Sequence, residues 1–167
     1  MEKIKKIRFL LDKLKLDGYL IPKNDEFFGE YIPEEKDNLK FISNFSGSYG
    51  IALILKKKNY LFVDGRYTIQ AKNQSKDKFK ILTIPNQYPF KIIKKKKLII
   101  GFDPKLHTEL SLKIFFQKTN CKLRPVKNNL VEAIKKQRKK IYYNKFFKLD
   151  ERFTGQNSTK KITKILK

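Results

Sequence analysis

The stretch IALILKKKNYLFVDGRY, residues 51–67, decides the fold of this 167-residue chain. It holds two apolar runs, 51–55 and 60–63, separated by a lysine-rich spacer, and this spacing predicts a β-hairpin. Asp64-Gly65 ends the second run, and residues 66–73 have the pattern of a helix. Because the strands of a hairpin are antiparallel, the sheet that contains them is not purely parallel.

Helices and short strands alternate on both sides of the hairpin. A helix is predicted over residues 3–15, where an apolar stripe faces away from lysines. The stripe consists of Ile4, Ile7, Phe9, Leu10, Leu11 and Leu14. The other predicted strands are 19–21, 79–84, 99–102 and 121–126, and the other predicted helical segments are 37–41 and one from residue 108, capped by Thr108 or Ser111. This alternation predicts an α/β domain over residues 1–127, with a mixed β-sheet flanked by helices.

The character of the sequence changes after Pro125. A helical segment is predicted at 130–137, residues 138–148 are basic and aromatic, and Asn157-Ser158 caps a last helix. That helix carries an apolar stripe of Ile162, Ile165 and Leu166. A helix of this length is marginal by itself, so we expect its natural packing partner to be missing.

The net charge of +24 suggests nucleic-acid binding. However, only five of the 40 basic residues are arginine, the residue that favours bidentate recognition of phosphates and bases. The lysines are spread along the chain in short runs beside predicted strands, so we favour a general lysine richness over a specific nucleic-acid site. A single cysteine, Cys121, and the absence of a signal pattern or of an 18-residue apolar run lead us to expect a cytoplasmic protein without a membrane partner.

No catalytic constellation emerges from the residues alone. One histidine, His107, and one cysteine leave little for a metal cluster or a nucleophilic pair. We interpret His107 as an exposed turn residue or as a polar contact near a helix start. The Gly/Ser-rich loop 44–50 lacks the phosphate-binding pattern, and we favour its interpretation as the entry to the hairpin over a ligand-binding loop. In residues 64–67, Asp64 capping the next helix and pairing with Arg66 is favoured over a ligand site at the strand end.

Several stretches taken together resemble one family. They are DGYLIP at 17–22, FISNFSGSYG at 41–50, FVDGRY at 62–67, IGFDPKLHT at 100–108 and NLV at 129–131. In this order and spacing they are similar to the N-terminal domain shared by creatinase, prolidase and Xaa-Pro aminopeptidases, nearest to three-domain aminopeptidase P. The tail at 153–158, FTGQNS, resembles the start of the second domain of that subfamily. The resemblance therefore implies that residues 128–167 are a linker and the start of a truncated second domain. The chain departs from the pattern at Lys135, where tryptophan is usual, and at Arg138-Lys139, where Arg-Pro is common.

The resemblance implies a ribonuclease H-like mixed sheet and a domain that does not perform the chemistry. In the family, a C-terminal domain holds two divalent metal ions, with manganese expected, on two Asp, one His and two Glu, and they activate water against the Xaa-Pro bond. None of these ligands can be assigned here, so the chain is expected to be truncated before that domain and inactive alone. The N-terminal domain is expected to cover the active-site cleft and to support dimerisation.

The resemblance also names candidate residues and partners. Ser48, Tyr49, Arg66 and Tyr67 are the candidates for lining the substrate cleft of the intact enzyme. The expected partners are the catalytic metallopeptidase domain, a second copy of the chain and a peptide substrate. Two alternatives stay open, namely an interaction module that pairs with a separate catalytic chain and a basic nucleic-acid-binding protein.

Overall fold

The computed structural model describes residues 2–94, 97–117, 119–135 and 145–166. The strands in these ranges are β1 Gly18–Pro22, β2 Gly50–Leu55, β3 Asn59–Asp64, β4 Lys80–Ile84, β5 Ile99–Phe102 and β6 Lys122–Pro125. The α-helices are α1 Glu2–Lys13, α2 Asn38–Ser43, α3 Thr68–Ser75, α4 Pro89–Ile93, α5 Glu109–Phe116, α6 Leu130–Ile134, α7 Glu151–Thr154 and α8 Ser158–Ile165. Short 3₁₀ turns lie at Glu34–Lys36, Gly65–Tyr67, Lys76–Lys78 and Pro104–Leu106.

The six strands form one sheet in the order β4-β3-β2-β1-β5-β6. β2 is antiparallel to both of its neighbours, β1 and β3. The pairs β3–β4, β1–β5 and β5–β6 are parallel. All strands except β2 therefore run in the same direction, and the predicted hairpin and mixed α/β sheet are confirmed.

The two faces of the sheet are both buried. Successive strand residues point to opposite faces, so Ala52 and Ile54 of β2 lie in one core cluster, and Ile51 and Leu53 lie in the other. The first cluster takes residues from α1, α2, α3 and α6, and the second takes residues from α4 and α5. Three layers result, with the sheet in the middle.

The apolar stripe predicted for α1 is too wide. Ile4, Ile7 and Leu11 are buried, as their spacing requires, but Phe9 is 69% exposed and Leu14 is 39% exposed. Each helical residue turns about 100° from the last, so Phe9 lies about 200° from both Ile7 and Leu11. Leu14 lies beyond Lys13, the last residue of α1, so the helical period no longer sets its position. The prediction that Phe9 and Leu14 belong to the core face is wrong.

The structure settles several local predictions. Thr108 caps α5, since its hydroxyl accepts a hydrogen bond from the Ser111 amide at 3.1 Å. Asn157 caps α8 in the same way. The helix predicted at 66–73 begins as a 3₁₀ turn and continues as α3. Two short helices, α4 and α7, were not predicted, because four or five residues are too few to show a helical period.

The later part of the chain is described in two pieces. α6 ends at Ile134, short of the predicted end at residue 137, and residues 136–144 lie outside the described ranges. Leu130 and Val131 of α6 are buried in the first core cluster. In α8, by contrast, Ile162, Ile165 and Leu166 at its end are 55%, 82% and 80% exposed.

Candidate functional site

Loops from several strands gather at one edge of the sheet, which we call the carboxyl edge. It is formed by the segments that follow the five parallel strands, together with the loop 44–49 that precedes β2. That loop joins the others because β2 runs in the opposite direction. Ligand sites of open α/β sheets lie outside this edge.

Ser48 and Tyr67 meet at the carboxyl edge. Their hydroxyl oxygens are 2.8 Å apart and share a hydrogen bond. The ring of Tyr67 stands edge-on to Phe45 with centroids 5.9 Å apart, and Phe45 is fully buried. Tyr67 is therefore held at both ends, by the core at its ring and by the loop at its hydroxyl.

Gly47 allows the loop to approach Phe45 closely. A β-carbon at residue 47 would lie 2.2 Å from Cζ of Phe45, well inside van der Waals contact. Since Phe45 is buried, its ring has little room to move away. The loop thus needs glycine here for a steric reason.

Arg66 is joined to Asp64 but remains open to solvent. Oδ1 of Asp64 accepts hydrogen bonds from the backbone amide and from Nε of Arg66, both at 2.9 Å. The side-chain bond from Arg66 is the main reason that the pKa of Asp64 is lowered. The side chain of Arg66 is 74% exposed, and its Cζ lies 5.5 Å from the centre of the Tyr67 ring. The cap and ion pair predicted for Asp64 are confirmed, and the guanidinium can still meet a ligand.

Tyr49 adds a half-exposed phenol beside this turn. It is 45% exposed, and burial of the remainder raises its pKa, with further contributions from Tyr88 and Asp64. The hydroxyl therefore stays protonated at neutral pH and can donate a hydrogen bond.

Two glutamines of α3 fix the loop from the other side, and sequence reasoning missed this contact. The Ser46 amide donates to Oε1 of Gln74 at 2.9 Å, and Nε2 of Gln74 donates back to the Ser46 hydroxyl at 2.9 Å. Gln70 also donates to that hydroxyl, at 3.1 Å. The signal in the sequence is the spacing of four residues between the glutamines, which places both on one side of α3.

A groove of about 1220 Å³ opens farther along the carboxyl edge, beside the ends of β1 and β5. It was not predicted. The chain leaves β1 toward α2 on one face and leaves β5 toward α5 on the other, so the groove lies at a topological switch point. Buried Asp25 and Asp103 line it, and Asp103 accepts hydrogen bonds from the Lys105 amide and from Asn129.

Many charges in the groove compensate each other. Ion pairs join Lys36 with Glu26, Lys40 with Glu34, and Lys135 with Glu132. Lys135 also donates to the carbonyl of Glu35 at 2.6 Å, so it ties α6 to the segment that follows β1. Where the family pattern has tryptophan, this chain therefore has a lysine with two polar partners.

His107 is buried, which corrects the interpretation of an exposed turn residue. It is 8% exposed, and its ring stands edge-on to Phe102 with centroids 5.9 Å apart. Nε2 is buried with no hydrogen-bond partner among the described residues, so the predicted polar contact is not seen at that atom. Burial lowers the pKa of His107 to about 4.

Among the described residues, no group of three or more His, Cys, Asp or Glu side chains is placed to hold a metal ion. In the same ranges, no helix is long and apolar enough to cross a lipid bilayer.

Known proteins share this sequence and fold. The profile of the creatinase/prolidase N-terminal domain family matches residues 3–140, and the chain belongs to that family. "Probable Xaa-Pro aminopeptidase P" of Coprinopsis cinerea is 31% identical over 95% of this chain and 27% of its own length. "Xaa-Pro aminopeptidase 1" of Dictyostelium discoideum is 26% identical over 98% of this chain and 29% of its own length. The chain thus spans less than a third of these relatives.

Solved structures agree with the sequence matches. The X-prolyl aminopeptidase of Caenorhabditis elegans, described as a cytosolic enzyme with a di-nuclear active site, superposes with a TM-score of 0.79 at 28% identity. The match covers 98% of this chain and 30% of that one. The N-terminal domain of the cytoplasmic peptidase PepQ from Mycobacterium tuberculosis shares the fold, with a TM-score of 0.63 at 22% identity over 80% of this chain and 98% of that one. The expected family and its mixed-sheet fold are confirmed.

Proposed function

We propose that this chain acts as the non-catalytic N-terminal domain of an Xaa-Pro aminopeptidase. The observation that carries the proposal is the match to the C. elegans enzyme, which takes in 98% of this chain but only 30% of that one. The hydrolytic chemistry would then belong to a further domain, where two divalent metal ions, with manganese expected, activate water. Among the residues that the structure describes, no group of three or more His, Cys, Asp or Glu side chains is placed to hold those ions.

The role proposed for this domain is to cover the active-site cleft and to limit the length of the bound peptide. Ser48, Tyr49, Arg66 and Tyr67 are the residues proposed to face the peptide. Arg66 supports this role because its guanidinium is largely exposed and can donate to a peptide carbonyl or carboxylate. Tyr67 supports it because Phe45 and Ser48 hold its ring and hydroxyl in one position.

We further propose a division of the chain at about residue 127. Residues 1–127 would be the complete domain, and residues 128–167 would be a linker and the start of a second one. α6 would connect the two parts, since its residues Leu130 and Val131 pack into the core of the first part. A homodimer and a cytoplasmic location, both features of the expected enzyme, are part of the same proposal.

An assay of the purified chain tests the assignment as non-catalytic. The chain is incubated with an Xaa-Pro peptide and manganese, and release of the first residue is followed. We expect no turnover above the rate of the peptide with manganese alone. Metal-dependent turnover that is stopped by a chelator would contradict the proposal.

A second candidate function is an interaction module that pairs with a separate catalytic chain. The exposed Ile162, Ile165 and Leu166 of the last helical segment favour it, because clustered exposed apolar side chains mark contact surfaces. Ile165→Glu with Leu166→Glu would abolish such pairing, and light scattering of the chain mixed with a catalytic domain would measure it. Pairing that survives both substitutions would remove this candidate.

A further inference from the structure

The fold gathers lysines that are far apart in the sequence along the edge of the sheet opposite the carboxyl edge. We call this the amino edge and define it by one lysine next to each strand, in spatial order from β4 to β6: Lys80, Lys58, Lys56, Lys15, Lys97 and Lys122. All six are exposed. Every strand of the sheet therefore has an exposed lysine at, or within three residues of, its end on this edge, and these six lysines form a row along it.

Few carboxylates offset this row. Asp12, Asp17 and Asp77 lie beside it; Asp77 is exposed in the turn before β4, and Asp12 and Asp17 are both within 4.0 Å of Nζ of Lys56. Asp17 also accepts a hydrogen bond from the Ile99 amide at 2.8 Å, so its charge is partly engaged in the sheet. By contrast, the groove at the carboxyl edge is lined by several carboxylates, including Glu26 and Glu34. The lysines and carboxylates that line the groove nearly balance, whereas the amino edge has more lysines than carboxylates.

We propose that the amino edge binds the phosphate backbone of a nucleic acid, without regard to sequence. Strands lie about 4.8 Å apart, so six strands make a row about 24 Å long. At 3.4 Å per phosphate along one strand of a duplex, that length matches about seven phosphates. A row of this shape suits a linear polyanion.

The residue type agrees with backbone binding. Lysine is a flexible point charge that binds phosphates without the rigid fork that arginine offers to base edges. Phosphate contacts position a nucleic acid and carry no sequence information. The row therefore predicts affinity that depends on salt and not on base composition.

An anionic membrane fits the amino edge less well. Proteins that lie on a bilayer combine basic residues with apolar side chains that enter the acyl boundary. The exposed aromatic side chains of Phe27, Phe28 and Tyr31 belong to the loop after β1, which lies at the carboxyl edge. At the amino edge itself, Leu14 beside Lys15 is 39% exposed, but charged side chains outnumber it, which favours the nucleic acid.

Fluorescence anisotropy with a labelled 20-nucleotide oligouridylate, from 50 to 300 mM salt, tests the proposal. The edge variant combines Lys58→Gln, Lys97→Gln and Lys122→Gln. The control combines Lys160→Gln, Lys161→Gln and Lys164→Gln in α8, where the same three positive charges are lost from exposed positions. Both variants are first compared with the wild type by thermal unfolding.

The edge variant is expected to bind about 100-fold more weakly at 0.1 M salt and to lower the slope of log affinity against log salt by about 2, since each lost phosphate contact removes about 0.7. The α8 variant should stay within threefold of the wild type, and a mixed-sequence oligonucleotide should bind like oligouridylate. Lys97→Gln alone should lower the slope by about 0.7, which keeps the test decisive if the triple variant unfolds.

Three results would overturn the proposal. One is a wild-type protein that does not bind at 0.1 M salt. Another is an equal loss in the edge and α8 variants, which would mean that only the net charge matters. The last is binding to phosphatidylserine vesicles that is tighter than binding to oligouridylate and is lost in the edge variant. None of these bears on the aminopeptidase proposal, which depends on the opposite edge.

Discussion

Ser48 and Tyr67 share a hydrogen bond of 2.8 Å between their hydroxyls, and this bond links the loop before β2 to the turn after β3. The two segments are adjacent because β2 and β3 form an antiparallel hairpin. Arg66 stands next to this link and is open to solvent. The bond thus sets the shape of the surface that we propose to face a peptide.

Loss of the Tyr67 hydroxyl should remove this bond and lower the stability of the chain modestly. Tyr67→Phe keeps the ring against Phe45 but removes the bond to Ser48. We expect the free energy of unfolding in urea to fall by about 0.5–1.5 kcal/mol, the net value of a single hydrogen bond. Tyr49→Phe is the matched control and should change it by less, and an equal effect of both would show that the Ser48 bond is not the cause.

A methyl group at residue 47 should lower the free energy of unfolding more than one at residue 29. Gly47→Ala places a β-carbon against the buried ring of Phe45, so we expect a loss of about 1–3 kcal/mol in the free energy of unfolding. At Gly29 the nearest atom would be 3.6 Å away, so Gly29→Ala should be nearly neutral. Equal stability of the two variants in urea titrations would mean that the loop does not pack as described.

Lys135 should contribute to stability through its two polar partners. Lys135→Met leaves the carbonyl of Glu35 and the carboxylate of Glu132 without their donor. We expect a loss of about 1–3 kcal/mol, measured by urea unfolding. The control is Lys127→Met, at an exposed lysine of the same groove, with an expected change below about 0.5 kcal/mol. If Lys135→Met left the free energy of unfolding unchanged, the contacts of Lys135 would not stabilise the packing of α6 on the segment after β1.

Burial of His107 should make stability depend on pH. Its pKa is about 4 in the folded chain and about 6.5 when unfolded, so only the unfolded chain takes up a proton between these values. Stability is therefore fully present above pH 6.5 and is lost as the pH falls toward 4, by at most about 3 kcal/mol. Carboxylates such as Asp64 also contribute below their ordinary pKa, so the comparison is with His107→Leu. The free energy of unfolding of the wild type, minus that of His107→Leu, should fall as the pH is lowered through this window. The same pH dependence of stability in both proteins would contradict the burial of His107.

More of the fold than of the candidate site could be predicted from the sequence. The hairpin and the strands were predictable because apolar runs and polar spacers are set by which residues are buried. Asp64, the cap and partner of Arg66, could also be foreseen, because both residues lie within one turn of chain.

What escaped prediction depends on contacts between distant segments. The groove brings together Asp25 and Asp103, which are far apart in the sequence, and Lys135 reaches Glu35 from 100 residues away. Burial of His107 is different, since its ring packs against Phe102 only five residues earlier, but no periodic pattern in residues 102–107 indicates that contact. The gathering of lysines at the amino edge likewise requires the strand order. Such features become visible only when the sheet is assembled.

The most direct test of the proposed cleft role is a chimera in which this chain replaces the matching 30% of the C. elegans X-prolyl aminopeptidase. The measurement is kcat/KM for an Xaa-Pro peptide, with and without Arg66→Ala. We predict an active chimera whose kcat/KM falls about tenfold or more on Arg66→Ala, the value of a charged hydrogen bond, and stays within twofold for Lys72→Ala, an exposed cation of the adjacent helix. An inactive chimera, or equal values for Arg66→Ala and Lys72→Ala, would contradict the account.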